Sequence, residues 1–198
     1  MSTMGVSCFS ELPVEFAPPE LSICDINLQQ EVYLNDSRVC FRRRNVVRRY
    51  YSAEVKDRRE MTVVFYEGQD AEEELKWDVD SRVGCQSHPS FLQLYGIVQY
   101  KNIHASIFYD DLISFDDIER ICQQSPMLPC YIYASIANEF AAASRYFKGI
   151  FGIPLSSRTF TLFLRPSTGR LNIDLEESNF LHSTLVWGVI YQPPVSES

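Results

Sequence analysis

Arg42, Arg43, Arg44, Arg48 and Arg49 form the densest group of chemistry-bearing side chains in this 198-residue sequence. Guanidinium groups at that spacing attract polyanions or acidic protein faces through a long-range, salt-screened field. Residues 38 to 59 hold eight Arg and one Lys against Glu54 and Asp57, which is 9 − 2 = +7. The chain as a whole carries −8, so the remainder sums to −8 − 7 = −15. This asymmetry points to a protein partner or acidic surface met by a basic hairpin, with a solvated hairpin as the plainer reading of the same run. The overall acidity argues against a nucleic-acid partner and against an anionic membrane.

The other titratable residues do not assemble into a catalytic pattern. His88 precedes a proline, His104 lies in a β-patterned run and His182 is far along the chain. Asp110, Asp111, Asp116 and Asp117 lie close together but lack the spacing of a calcium loop, and they fit a solvated hinge and a helix cap better. There is no Gly-x-Ser-x-Gly elbow, His-Glu-x-x-His helix or Walker loop. Cys8, Cys24, Cys40, Cys85, Cys122 and Cys130 contain no Cys-x-x-Cys pair and read as reduced thiols. Residues 1 to 16 lack the basic and apolar regions of a secretory leader, and no apolar run reaches the ~20 residues of a membrane helix. With 45% hydrophobic and 13% aromatic residues, a packed, soluble, cytoplasmic or nuclear protein is expected.

Residues 1–35 show no sustained period around Pro13, Pro18 and Pro19 and read as an extended arm, with one weak helical turn near 21–30. Strands are expected over 38–41, over 46–55, where Tyr51, Ala53 and Val55 alternate with Ser52 and Glu54, and over 61–66. Asp70 then caps a helix, with Glu73 at capping-box spacing and Glu72 to Glu74 complementing the helix dipole. Leu75, Val79 and Val83 recur every fourth residue as its buried stripe. Runs 91–98 and 103–108 read as a hairpin. Ser114, Asp116 and Asp117 open a short helix ending near 125–126. The strongest helix spans 130–151, with Ile132, Ile136, Phe140, Ala143, Phe147 and Ile150 on one face and Gly149 and Gly152 at its end. A second hairpin, 159–164 with 170–175, turns around 166–169, and 181–191 is a strand or short helix of mixed pattern.

The segment His88-Pro89-Ser90-Phe91-Leu92-Gln93-Leu94-Tyr95-Gly96 joins the first helix to the first hairpin. Helix, His-Pro turn, hairpin is the order in the small lobe of a protein kinase. On these residues the chain resembles the protein kinase-like superfamily, in particular the degenerate kinase-like domains common in fungi, over about residues 38 to 176. The resemblance implies an α+β fold of one structural domain. Within it, a five-stranded small lobe with a regulatory helix would span 36–113, and a truncated helical large lobe 114–198, after the arm 1–35. A complete kinase fold needs roughly 250 residues or more.

Tested residue by residue, the family's catalytic parts are missing. No glycine occurs from Val6 to Glu67, where phosphate-cradling amides would be needed. Tyr66 stands in place of the phosphate-pairing lysine, and Val79 in place of the helix glutamate that should pair with it. From Phe151 to Leu171 there is no Asp, Glu or Asn to serve as catalytic base or metal-binding amide. Asp174-Leu175-Glu176 falls near the Asp-Phe-Gly position, so Asp174 is the one residue to which the resemblance assigns a metal-binding role. It therefore implies a pseudokinase without a cofactor, acting as an interaction module. One alternative is an ATP-binding or atypically active kinase that takes ATP and Mg²⁺, with Lys56 supplying the missing lysine from the second strand. The other is a decayed gene product without selected activity.

Overall fold

The computed structural model describes residues 18–32, 46–56, 58–122, 127–155 and 160–176. The fold is α+β. An antiparallel five-stranded sheet runs in the order β1-β2-β3-β5-β4, from β1 (Ile26–Glu31), β2 (Val46–Val55), β3 (Arg58–Gly68), β4 (Leu94–Tyr100) and β5 (Ile103–Tyr109). Helix α1 (Ala71–Val83) connects β3 to β4. A smaller sheet, β6 (Ile113–Ser114), β7 (Phe160–Leu164) and β8 (Leu171–Leu175), accompanies α2 (Phe115–Cys122) and α3 (Met127–Phe151). No helix among the described residues is long and apolar enough to cross a membrane.

The expectation of an arm over 1–35 is corrected at Ile26–Glu31, which forms β1, paired with β2 from Ile26↔Val55 to Glu31↔Tyr51. Its five residues after Ile26 are exposed, so a strand held by its backbone ladder left no apolar alternation to read. The helical turn foreseen nearby is a short 3₁₀ turn, Ile23–Asp25, capped by Ser22. Residues 38–41 and 181–191 lie outside the described residues.

β2 changes its buried phase midway. Val46 and Tyr50 face α1 and the small sheet, whereas Ala53 and Val55 are buried on the opposite face with Met61, Val63, Ala105 and Ile107. In β3 the same division falls on alternate residues, Val64 and Tyr66 against Met61 and Val63, as the pleat requires. The bulge between Leu94 and Gly96 in β4 brings Gly96 against the chain entering the sheet. A Cβ there would lie 2.8 Å from the Pro19 carbonyl oxygen, so only glycine fits without displacement.

Asp70 holds the N-cap position of α1, but its side chain makes no capping hydrogen bond, which corrects that expectation; its carbonyl accepts from Glu74 N–H at 3.0 Å. Ser114 does cap α2, its Oγ accepting from Asp117 N–H at 3.1 Å. On α3, Ile136, Ala143 and Phe147 are buried, with Ile132, Phe140 and Ile150 packed beside them. Gly152, with φ +71°, closes the helix through its N–H to the Lys148 carbonyl. All five residues of β8 are buried, and the strand is tied to the turn before β4 by Ile173 N–H to Ser90 O (2.7 Å) and Leu92 N–H to Ile173 O (3.1 Å).

Candidate functional site

Helix α1 turns a charged stripe inward. Glu74, Asp78 and Arg82, each four residues from the next, are buried together with Leu75 and Ser81. Val79, expected on the stripe, is only partly buried. A helix buries whichever side its neighbours can satisfy. Here β2 and β8 supply the partners that make charged burial possible.

Those partners close a ring. Arg48 of β2 donates from Nη2 to Glu74 Oε1 at 2.6 Å and from Nε to the same oxygen at 3.0 Å. Its Nη1 reaches the Leu175 carbonyl at 3.0 Å and Asp174 Oδ2 at 3.4 Å. Asp174, on β8, also accepts from Arg82 Nη2 through Oδ1 and from the Tyr50 hydroxyl through Oδ2. Arg82 Nη2 in turn donates to Asp78 Oδ1 at 2.7 Å. The second Asp78 oxygen accepts from Ser106 Oγ at 2.9 Å, and Ser106 accepts from the Tyr66 hydroxyl at 3.0 Å. The guanidinium of Arg82 stacks 5.0 Å from the Phe108 ring centroid, and that of Arg48 lies 5.5 Å from Tyr66 and 5.7 Å from Trp77.

The formal charge of the ring is Arg48 and Arg82 against Glu74, Asp78 and Asp174, or 2 − 3 = −1. Burial alone would lower the pKa of both arginines. For Arg48 the fields of Asp174, the tyrosines and Glu74 overcome it, and for Arg82 those of Asp78 and Asp174 do, so both guanidiniums stay charged. Burial would raise the Asp78 carboxyl, but Arg82 and Arg48 outweigh it and hold the group below the ordinary carboxylate value. Burial, followed by the fields of Asp174 and Asp78 respectively, pushes the Tyr50 and Tyr66 hydroxyls well up. Both tyrosines therefore remain protonated donors. Arg82 Nη1 is the one ring atom left without a partner among the described residues.

Chemically this arrangement holds groups still. Every carboxylate in it faces donors, which fixes the side chains against one another, and Arg82 Nη1 is left as an unsatisfied buried donor. Among the described residues, no three His, Cys, Asp or Glu side chains converge in a way that could hold a metal ion.

The ring gathers some of the residues singled out in the sequence and scatters others. Asp174 lies at its centre. Tyr66 touches it through Ser106, while the acid opposite Tyr66 is Asp78, one residue before Val79. Arg48 and Arg49 do not form a basic edge: Arg48 points inward, and Arg49, on the outer face, pairs with Glu67 (3.1 Å) and Glu31 (3.4 Å). Alternation along β2 forces these neighbours to opposite faces. Arg42, Arg43 and Arg44 lie outside the described residues. Lys56, at a positive-φ turn, is exposed and pairs with Asp25 at 3.5 Å, away from the ring. Asp110 pairs with Arg165 (2.9 Å), Asp111 accepts from Leu112 N–H, and Asp117 pairs with Arg120 (3.0 Å). Cys85 is buried, its thiol pushed up to about 12 by desolvation, which makes it a poor nucleophile.

Glu74, Asp78, Arg82 and Arg48 were missed as site residues. Two signals pointed to them: the i, i+4, i+8 spacing of Glu74, Asp78 and Arg82, and the place of Arg48 in phase with Val46 and Tyr50. The chain matches no protein-family model and no curated protein.

Proposed function

We propose that this chain is a kinase-like domain without phosphotransfer activity, a pseudokinase that works as an interaction module. The observation that carries the proposal is the state of Asp174. The one residue at the family's metal-aspartate position is engaged on both oxygens, by Arg82 on one and by Tyr50 and Arg48 on the other. To take a metal ion, that carboxylate would have to give up two buried guanidinium partners and the Tyr50 hydroxyl, leaving Arg48 only Glu74 and Arg82 only Asp78 as carboxylate partners.

The first strand expected in the small lobe, over 38–41, lies outside the described residues, and β1 precedes the bounds 36–113. Within them the order β2, β3, α1, β4 and β5 also supports this reading, since it agrees with the later part of the small-lobe order that the resemblance leads one to expect. So does the filling between the two sheets. Beside the chain crossing at Leu112, Tyr50 and Phe163 meet with ring centroids 5.2 Å apart in one apolar cluster, where a nucleotide would need open space. The atypical-kinase alternative is less favoured, because Lys56 follows the end of β2 remote from Arg48 and pairs with Asp25 instead of Asp174. Any basic contact with an acidic partner rests on Arg42, Arg43 and Arg44, since Arg48 is internal and Arg49 is already paired.

A melting titration with ATP and Mg²⁺ tests the reading. A ligand at 100 times its dissociation constant stabilises by ~2.7 kcal/mol. We expect no shift at millimolar nucleotide, with or without the metal. Saturable stabilisation would favour the ATP-binding alternative.

A further inference from the structure

Of the six large apolar side chains exposed among the described residues, three fall within one short stretch of chain: Ile121 (61%), Met127 (77%) and Tyr133 (47%). They lie where α2 meets α3. The Tyr133 hydroxyl donates to Glu119 of α2, and its ring stands 5.4 Å from that of Phe115. Along α3 the outer face continues through Ala134, Ala137 and Ala141, all exposed and spaced by three and four residues. From Met127 to Ser144 the helix has one charged residue, Glu139, and that one turns to Arg170 and the Leu171 N–H. A helix that meets water on one side ordinarily sets charged residues there. An uncharged outer face beside three large apolar side chains is the mark of a surface that something else covers.

Reach and charge name the occupant. Leu175, at the end of β8, pairs with Phe160, whose ring lies 5.3 Å from that of Phe140 on α3. The chain therefore leaves β8 beside the middle of α3, with Tyr133 and Met127 ~10 and ~20 Å away along the helix. Residues 177–180 can span up to ~14 Å when extended, and 181–191 up to ~38 Å, which is enough to pass round α3 and along it. This following segment carries Phe180, Leu181, Leu185, Trp187 and Ile190, and it has no Asp, Glu, Lys or Arg from 178 to 196. An uncharged segment suits an uncharged face, whereas an acidic or basic partner would find no counter-charge there. We propose that residues 180–191 of this same chain dock on the outer face of α2 and α3, with Trp187 reaching Met127 and Ile121. This docking does not depend on the kinase-like reading, because it rests on exposure, reach and charge alone.

Methyl-labelled NMR of the full chain tests it. Nuclear Overhauser contacts are expected within one molecule between the Trp187 ring and the methyl groups of Met127 and Ile121. Trp187→Ala should raise the broadening of those two methyls by a soluble paramagnetic probe at least about fivefold, because the covered population is lost. Ile107 and Ile173, fully buried in separate clusters, should not respond. Contacts seen only between labelled and unlabelled molecules in a mixed sample would assign the face to a second copy and overturn the proposal. Met127 and Ile121 methyls equally broadened in parent and variant would overturn it too. If the variant does not fold, the contacts in the unaltered chain decide alone, and their absence sinks the docking.

Discussion

The two faces of the five-stranded sheet are covered by opposite chemistry. On one, Ala53, Val55, Met61, Val63, Val98, Ala105 and Ile107 meet Leu21 in an apolar cluster, and the charges on that face, Arg49 with Glu67 and Glu31, are exposed. On the other, toward α1 and β8, an apolar cluster that includes Tyr50, Val64, Tyr66, Phe108 and Phe163 surrounds Arg48, Glu74, Asp78, Arg82 and Asp174. The difference decides how each face fails. An apolar face weakens in proportion to the volume removed, at any pH. A face built on paired charges fails when one partner is lost, and it does so in a pH-dependent way.

The sharpest way to break the charged face is Arg82→Met, which fills similar space and removes the cation between two buried carboxylates. The ring charge becomes 1 − 3 = −2. A loss of about 4 kcal/mol is expected in urea unfolding at neutral pH, within the range for a buried pair broken on one side. The sign of the pH dependence should also reverse. In the unaltered protein the Asp78 carboxyl is held low, so its contribution is present above the unfolded value near 3.9 and is lost as the pH falls through the lower folded value. Without Arg82, burial becomes its main influence and raises the folded value. The stability it contributes is then present at low pH and is lost as pH rises through that raised value. Acidification from neutral to about pH 5 should therefore stabilise Arg82→Met relative to the parent. A variant that loses stability in parallel with the parent on acidification would show that the ring's charges are not what this face depends on.

On the apolar face, Ile107→Ala should cost about 3 kcal/mol, set by the methylene groups removed and the cavity left. The loss should be the same at pH 5 and pH 8, since none of its cluster neighbours is charged. A marked pH dependence would mean that the two faces are coupled more tightly than their separate clusters imply.

The apolar face was also the more legible in the sequence. Tyr51, Ala53 and Val55 alternate with Ser52 and Glu54, and that pattern alone placed β2 over the residues it occupies. The strong period of α3 and the turn at Gly169 were read in the same way. The charged face was obscured because periodicity scores apolar residues as inward. In α1 that rule picked Leu75 and Val79 and passed over Glu74, Asp78 and Arg82, whose burial depends on β2 and β8 arriving from 26 and 92 residues away. β1 escaped for the complementary reason: it buries almost nothing, and only its pairing with β2 makes it a strand. Asp174 was singled out by position along the chain, but its partners were passed over, because Arg48 read as one more member of an exposed basic run and its phase with Val46 and Tyr50 was not weighed.

Arg48 and Arg49 bring the comparison down to two adjacent residues of identical chemistry. Arg48→Met should cost about 2 kcal/mol, as for hydrogen bonds to charged groups. The loss is smaller than for Arg82 because Glu74 can turn to water and Asp174 keeps Arg82 and Tyr50. Since Arg48 and Glu74 share that interaction, the double variant Arg48→Met with Glu74→Gln should lose less than the sum of the two single changes. Arg49→Met removes pairs with Glu67 and Glu31 whose partners are all exposed, and such pairs add little once solvent and salt screen them. Its melting temperature should match the parent's at physiological ionic strength. Thermal melts of the two single variants, run side by side, test the assignment of faces along β2. Equal losses would mean that Arg48 is as solvent-screened as its neighbour, and the ring would then lack its link from β2 to the helix.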